Sequence, residues 1–317
     1  MKKILYAAAM TVLMASPALA ENIGVSMAKF DDNFLTVLRN GMQEYASGKS
    51  GVNLQVEDAQ NDVAKQLSQI QNFIAQKVDA IIVNPVDTDA TPAMTKLAVA
   101  AGVPLVYVNR MPSDNPLPAK VSFVGSNEVD SGTLEMQEVC KIMGGKGNIL
   151  VLMGELSNQA ARQRTQDVHD VIAKPECSGI KIVEEQTGNW DRTQGTDLMT
   201  NWISSGVQFD AVVSNNDEMA IGAIQALKAA GVDMSKVIVA GVDATQDALA
   251  AMKAGDLDVT VFQNAAAQGS GAVDTALKLA KGDSVGSRPW IPRCRPWPAS
   301  ARCRPRRIPA PLRSGTR

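Results

Sequence analysis

The chain has 317 residues, with 31 Lys and Arg against 33 Asp and Glu and a formal net charge of −2. Residues 288–317 hold nine Arg with no Lys and no acid, and residues 1–20 hold only Lys2 and Lys3, so the body between carries 20 bases against 33 acids, a net of −13. That acidity argues against nucleic acid as a partner, because phosphates need a basic face; a hydrophobic share of 45% excludes a wholly disordered chain and can fill one large or two ordinary domains.

Lys2-Lys3, the apolar run Ile4 to Met14 and Ser16-Pro17-Ala18-Leu19-Ala20 form the charged, apolar and small-residue regions of a secretory signal peptide. Cleavage is expected after Ala20, with Glu21 as the mature start of a protein outside the cytoplasm. The apolar run is shorter than the ~20 residues that span a bilayer, and no later segment is long and apolar enough to do so. Export permits disulfides. Cys140 and Cys177 can pair or remain separate thiols, Cys294 and Cys303 lie near the end of the chain, and no spacing resembles a zinc site.

Past the leader, short apolar runs alternate with helical patterns. Strands are predicted at residues 23–27, 52–56, 80–83, 103–108 and 121–124. Between them, Leu35, Leu38, Met42 and Tyr45 mark one helix, Leu67, Ile70 and Ile74 a second, and Met94, Leu97 and Ala98 a third. A helix over 128–143 ends at Gly144-Gly145. A second series follows, with strands at 148–153, 180–183, 211–213, 237–240 and 259–262. Its helices are predicted at 158–173, 192–204, 219–230 and 265–281. Such alternation implies an α/β fold of two doubly wound parallel-sheet lobes, covered by helices on both faces.

In such sheets ligands bind beyond the carboxyl ends of the strands. The residues there are Asn84, Asn109-Arg110, Glu155, Asn215-Asn216-Asp217, Asp243 and Gln263-Asn264. Amides, a few carboxylates and an Arg suit a polyhydroxylated ligand, although Asn and Asp also follow strands simply because turns begin there.

Catalytic constellations are missing. The lone histidine, His169, falls on the polar side of a helix with no nucleophile arranged around it. There is no G-x-S-x-G elbow and no G-x-G-x-x-G after the first strand. Gly144-Gly145-Lys146-Gly147 lacks the spacing of a phosphate loop and reads better as a helix C-cap. Asp58, Asp62, Asp87 and Asp89 are scattered at helix starts, where acids favour the dipole, and form no calcium loop. No cofactor, metal or enzymatic activity is expected.

Several motifs, taken in order, carry a resemblance. Asn215-Asn216-Asp217-Glu218-Met219-Ala220-Ile221-Gly222-Ala223 and Val239-Ala240-Gly241-Val242-Asp243 resemble the ribose/galactose/inositol-type periplasmic sugar-binding proteins of ABC transporters, the type I periplasmic binding proteins. Asp31-Asp32-Asn33-Phe34-Leu35 resembles the family's first ligand loop, and Val108-Asn109-Arg110 the aspartate-arginine pair after its fourth strand. Gln159 to Arg164 resembles its arginine motif, and Asn189-Trp190-Asp191-Arg192 its aromatic loop. The first loop and the run Gly154 to Arg162 look most like the inositol branch, and within it binders of rhizopine, an inosamine.

Carried over residue by residue, the resemblance implies ligand contacts at Asp32, Phe34, Asn109, Arg110, Arg164, Trp190, Asn216, Asp243 and Gln263. It implies closure of two lobes on a small polyol or sugar, then docking on an ABC permease or a chemoreceptor, by a protein that is a monomer. Asp32 stands where the ribose pattern has asparagine, and Asn109 where it has aspartate. A carboxylate has thus moved across the pocket, and Asp32 either pairs with a ligand ammonium or rearranges contacts to plain inositol hydroxyls. The lobes are expected at 21–126 with 264–285, and at 127–263. A pentose or hexose binder of the same family, and an enzyme on the same two-lobed scaffold, are the competing readings.

Residues 286–317 form an atypical tail, with seven of the fifteen Pro in residues 288–317. Pro at that density forbids helix and strand interiors, so no closing strand is expected there. A basic disordered arm or an out-of-frame reading of the end both fit this composition.

Overall fold

The computed structural model describes residues 20–285 and, for the backbone, 295–296. The expected signal peptide and most of the tail lie outside the described residues. The first lobe runs β1 (Glu21–Met27), α1 (Asn33–Ser47), β2 (Val52–Asp58), α2 (Val63–Ala75), β3 (Ala80–Val83), α3 (Thr91–Ala101), β4 (Leu105–Val108) and β5 (Val121–Val124). The second runs α4 (Glu128–Met143), β6 (Lys146–Met153), α5 (Gln159–Ile172), β7 (Gly179–Thr187), α6 (Arg192–Ser204), β8 (Ala211–Ser214), α7 (Asp217–Ala229), β9 (Ile238–Asp243), α8 (Gln246–Ala254) and β10 (Val259–Phe262). Helix α9 (Ala265–Ala280) then returns to the first lobe.

The first sheet has the order β2-β1-β3-β4-β5 and is wholly parallel. Its inner strands β3 and β4 are apolar throughout because both faces are covered, whereas the edge strand β2 alternates. Ile82, Val106 and Val108 meet α1 and α9 on one face, while Ile81, Val83, Leu105 and Tyr107 meet α2 and α3 on the other. The second sheet repeats the scheme with the order β10-β9-β8-β6-β7, with β11 (Arg295–Pro296) added beside β10. Leu150, Leu152 and Val212 pack under α6 and α7, and Ile149, Val151 and Val213 under α4 and α5. Helix α9 sits tightly on α1. A Cβ on Gly269 would lie 2.2 Å from the Leu38 carbonyl oxygen, so only glycine permits this approach. The chain passes from β5 to α4 through residues 125–127 and from β10 to α9 through residues 263–264.

Three features differ from the sequence expectations. Helix α8 was not anticipated: it is alanine-rich, and only Ala248 is fully buried, so it carries no apolar stripe. Thr245 caps its start by accepting from the Ala248 amide, and Gly255, at φ 83°, ends it. Strand β7 extends four residues past the apolar run, because an edge strand can pair through its backbone while polar side chains alternate outward. The tail, expected to supply no strand, supplies β11 (Arg295–Pro296), which pairs antiparallel with Val261 and Phe262. It lies at the sheet edge, where a residue without an N–H is tolerated.

Gly144-Gly145 is a helix C-cap: Gly144 has φ 66° and its N–H reaches back to Cys140 and Lys141. The open question of the cysteines closes with a disulfide between Cys140 and Cys177, which ties the end of α4 to the turn after α5. The bridge spans 37 positions, a loop whose closure stabilises by about 4 kcal/mol in the chain-entropy account. The double variant Cys140→Ser, Cys177→Ser is therefore expected to lose roughly 3–4 kcal/mol in urea unfolding; an unchanged midpoint would show that the bridge does not hold the lobe.

Candidate functional site

The carboxyl ends of the two sheets face one another across a narrow cavity of about 40 Å³. Each wall is built from strand ends and the helices that leave them. From the first lobe come Asp32, Phe34 and Leu35 at the start of α1, and Asn109-Arg110 after β4. From the second come Ala160 and Arg164 on α5, Trp190 after β7, Asn216 after β8 and Asp243 at the end of β9. The structure thus brings eight of the nine expected residues to one cavity. The ninth, Gln263, is buried at the end of β10 but does not line it. Its amide nitrogen donates to Ser131 at 3.0 Å and to Glu128 at 3.1 Å. Leu35 and Ala160 were missed, being apolar neighbours of polar motifs that carry no chemistry of their own.

Several lining residues serve the fold as well as the cavity. Asp32 is the N-cap of α1 and accepts from the Leu35 amide at 2.9 Å through one carboxylate oxygen. Asn216 caps α7 by accepting from Met219 at 3.0 Å, and donates to the Trp190 carbonyl at 3.2 Å. Both helices therefore point their N-terminal ends at the cavity, where partial positive charge favours acceptors. Asn109, Trp190 and Asp243 have φ of 66°, 63° and 125°, left-handed backbone that non-glycine residues adopt at a cost. Trp190 is held in place by Gly154, whose absent Cβ would fall 2.3 Å from the indole ring.

The cavity is rich in buried charge. Arg110 donates to the Pro85 and Val86 carbonyls, and burial lowers its pKa against the pull of Glu155 and Asp32. Arg164 donates through Nε to Glu128 at 2.7 Å and through Nη1 to the Asn215 carbonyl. Burial works against its charge, but Glu128 and Asp243 beside it prevail and raise its pKa above the usual range. Burial pushes the Asp243 carboxyl well above the ordinary carboxylate value. Arg164 opposes that rise, while Asp217, Asp32 and Glu128 add to it.

Other strand-end residues prove to serve the backbone. Asn84 accepts from the Ala28 amide and donates to the Val108 carbonyl. Asn215 accepts from the Gly154 amide and the Thr165 hydroxyl. Asp217 accepts from the Thr245 amide at 2.8 Å and the Thr260 hydroxyl at 2.7 Å. Glu155 lies at a wider recess of about 590 Å³ at the cleft mouth, beside Asp31, Asp58 and Asp191, and accepts from Asn61 of the opposite lobe at 3.0 Å. His169 is exposed and pairs with Glu185 on the far side of α5.

The two lobes touch along both margins of the cleft. On one side the Thr88 amide donates to the Ser157 carbonyl, and Arg162 pairs with Asp89 at 3.1 Å. On the other, Asn33 donates to Glu218 at 2.8 Å, and Glu218 is itself held by Arg192. The lobes are closed on the cavity.

The sequence matches the model of the periplasmic binding protein domain over residues 23–284. It is similar to a protein of Rhizobium meliloti bearing the name "Putative rhizopine-binding protein", with 64% identity over 92% of this chain and 95% of that one. Its structure is similar to that of an ABC transporter solute-binding protein from Bacillus halodurans with bound myo-inositol. The TM-score is 0.83 at 42% identity, over 88% of this chain and 94% of that chain. The Caulobacter myo-inositol binding protein bound to myo-inositol gives a TM-score of 0.81 at 30% identity, over 90% of this chain and 94% of that one.

Asp217 offers a test of the electrostatics under the cavity. Burial pushes its carboxyl up to about 7, against the lowering effect of its hydrogen bonds. The folded protein then holds a proton between pH 4 and 7 that the unfolded chain has released, so this group's contribution to stability falls as pH rises through that window. Asp217→Asn is expected to flatten the fall in unfolding free energy between pH 4 and 7, measured by urea titration. A variant with the wild-type slope would contradict that assignment.

Proposed function

The chain belongs to the periplasmic binding protein domain family, and from that premise we propose that it delivers a cyclic polyol, an inositol or an amine-bearing inositol of the rhizopine type, to an ABC permease. Family members are binding proteins for transport rather than enzymes, and the family implies a periplasmic location. The observation that carries the proposal is the single cavity in which Phe34, Asp32, Asn109 and Arg110 of one lobe meet Arg164, Trp190, Asn216 and Asp243 of the other. The myo-inositol-bound neighbours support the ligand class.

Each side chain has a role in this reading. Phe34 and Trp190 offer flat apolar faces to the C–H faces of a ring. Asp243 accepts from neighbouring hydroxyls, and the remaining N–H groups of Arg110 and Arg164 donate from planar forks. Asn109 and Asn216 complete the set with what their structural bonds leave over. Asp32 keeps one carboxylate oxygen beyond its capping bond, available to a ligand ammonium. Charge-assisted bonds of this kind contribute roughly 1.5–3 kcal/mol each. Gln263 stands behind the wall, its amide nitrogen held by Glu128 and Ser131.

The lobes in this proposal are residues 21–126 with 264–285, and residues 127–263, turning about crossings near Ser126 and Gln263. Ligand selects the closed state because only that state presents both walls at once. The exported protein, cleaved after Ala20, acts as a monomer and docks on the permease or a chemoreceptor.

Calorimetry with myo-inositol, an inosamine, D-ribose and D-galactose tests the ligand class. The inositols are expected to bind at micromolar affinity or better and to raise the melting temperature; binding of ribose or galactose alone would replace the proposal with a pentose or hexose receptor. Hydroxyls that donate to Asp243 favour its charged form. Binding should therefore release protons and strengthen as pH rises through the raised pKa of that group. Asp32→Asn is expected to weaken the inosamine at least ~10-fold more than myo-inositol, the loss of one charge-assisted bond. Equal losses would sink the ammonium pairing.

A further inference from the structure

We propose that Glu128 is a positioning residue that fixes the donors Arg164 turns to the cavity and, behind the cavity wall, the orientation of Gln263. The inference rests on the polyol reading of the cavity and deepens it. Glu128 is the first residue of α4, immediately beyond the crossing between the lobes. An acid there has an ordinary explanation in the helix dipole, but Asp130 in the same turn is exposed and serves that purpose. Glu128 is only 6% exposed and sits outside the cavity lining.

Its carboxylate faces two residues from different elements. Oε2 accepts from Arg164 Nε at 2.7 Å and from Gln263 Nε2 at 3.1 Å. A guanidinium carries five N–H donors in a fixed plane. Glu128 and the Asn215 carbonyl each take one, and the Trp190 ring lies 5.4 Å from the guanidinium carbon. Arg164 is thereby held in one orientation, with its remaining donors left for the cavity that it lines.

Gln263 is constrained in the opposite sense. Both hydrogens of its amide nitrogen are accounted for, by Glu128 and by the Ser131 hydroxyl oxygen. A flipped amide would set its oxygen against the Glu128 carboxylate, so the side chain has only its Oε1 acceptor left, and that atom is buried without a hydrogen-bond partner. One carboxylate thus turns Arg164 to the cavity as a donor and leaves Gln263, behind the wall, only an acceptor. Glu135 approaches Arg164 from deeper in α4, but burial raises its pKa well above the usual carboxylate range. Asp243 also lies beside Arg164, but the carboxylate paired directly with the guanidinium is Glu128.

Glu128→Gln keeps the shape and removes the charge. Titrated with myo-inositol, it is expected to bind about 10- to 100-fold more weakly, as does Arg164→Met. The double variant is expected to lose clearly less than the sum of the two single losses, because Glu128 reaches the cavity through Arg164 and only the part carried by Gln263 is added; fully additive losses overturn the proposal. A second reading needs no ligand. The emission of Trp190, taken as the difference from Trp190→Phe, should shift in Glu128→Gln as it does in Arg164→Met, and unchanged emission also overturns it. If wild type does not bind myo-inositol, the polyol reading fails while the emission arm still decides the role of Glu128. Should Glu128→Gln not fold, Glu128→Asp keeps the charge with a shorter reach. It is expected to show weaker binding at an unchanged melting temperature, and wild-type affinity in that variant overturns the proposal.

Discussion

A guanidinium can be buried only where anions and carbonyls replace the water it gives up. Arg164 is 4% exposed, and its ion pair with Glu128 at 2.7 Å is the constraint around which the second lobe's binding wall is arranged. The pair draws the start of α4 to the middle of α5. The Asn215 carbonyl, taken by the same guanidinium, adds the end of β8. Gln263 adds the end of β10, the point where the chain leaves the lobe. Four segments far apart in sequence are thereby fixed at one place, and that place adjoins the route between the lobes. Removing either partner would leave a buried charge unpaired, which costs far more than the pair contributes.

The same economy governs the rest of the cavity. Asp32 and Asn216 each cap a helix and line the wall, so the capping oxygen orients the side chain, and Asn216 is fixed further by donating to the Trp190 carbonyl. Asn109, Trp190 and Asp243 adopt left-handed backbone where the chain turns sharply out of a strand. Residues held in that region at a cost of order 1–3 kcal/mol persist only when the surroundings dictate them. Gly154 under the indole supplies such surroundings for Trp190. The site is rigid because its groups are also parts of helix starts and turns.

This double use explains what could and could not be read from the sequence. The strands were legible because a parallel sheet covered on both faces demands continuous apolar runs, as in Ala80–Val83, every residue of which is buried. Helix α8 was illegible because alanines on a surface helix leave no stripe. At the strand ends the polar residues were visible, but their employment was not. Asn84, Asn215 and Asp217 look like Asn109, Asn216 and Asp243 in sequence, yet Asn84 bonds backbone groups through both amide atoms, and Asn215 and Asp217 accept from backbone and hydroxyl donors. Turn chemistry and ligand chemistry ask for the same amides and carboxylates. Glu128 was hidden by a different ambiguity, since an acid at the start of a helix already has a reason to be there.

The charges separate into layers that the net figure conceals. The recess at the cleft mouth carries Asp31, Asp58, Glu155 and Asp191 against Lys29 alone. Inside, Arg110 and Arg164 stand against Asp32, Asp243 and, behind the wall, Glu128. In the proposed reading such an interior suits a neutral polyol, whose hydroxyls both donate and accept, better than a second anion beside Asp243, whose own charge burial disfavours. A ligand cation would relieve that repulsion. In the proposed reading, the acidity of the body and the balance of the cavity act in the same direction: both disfavour an anionic ligand.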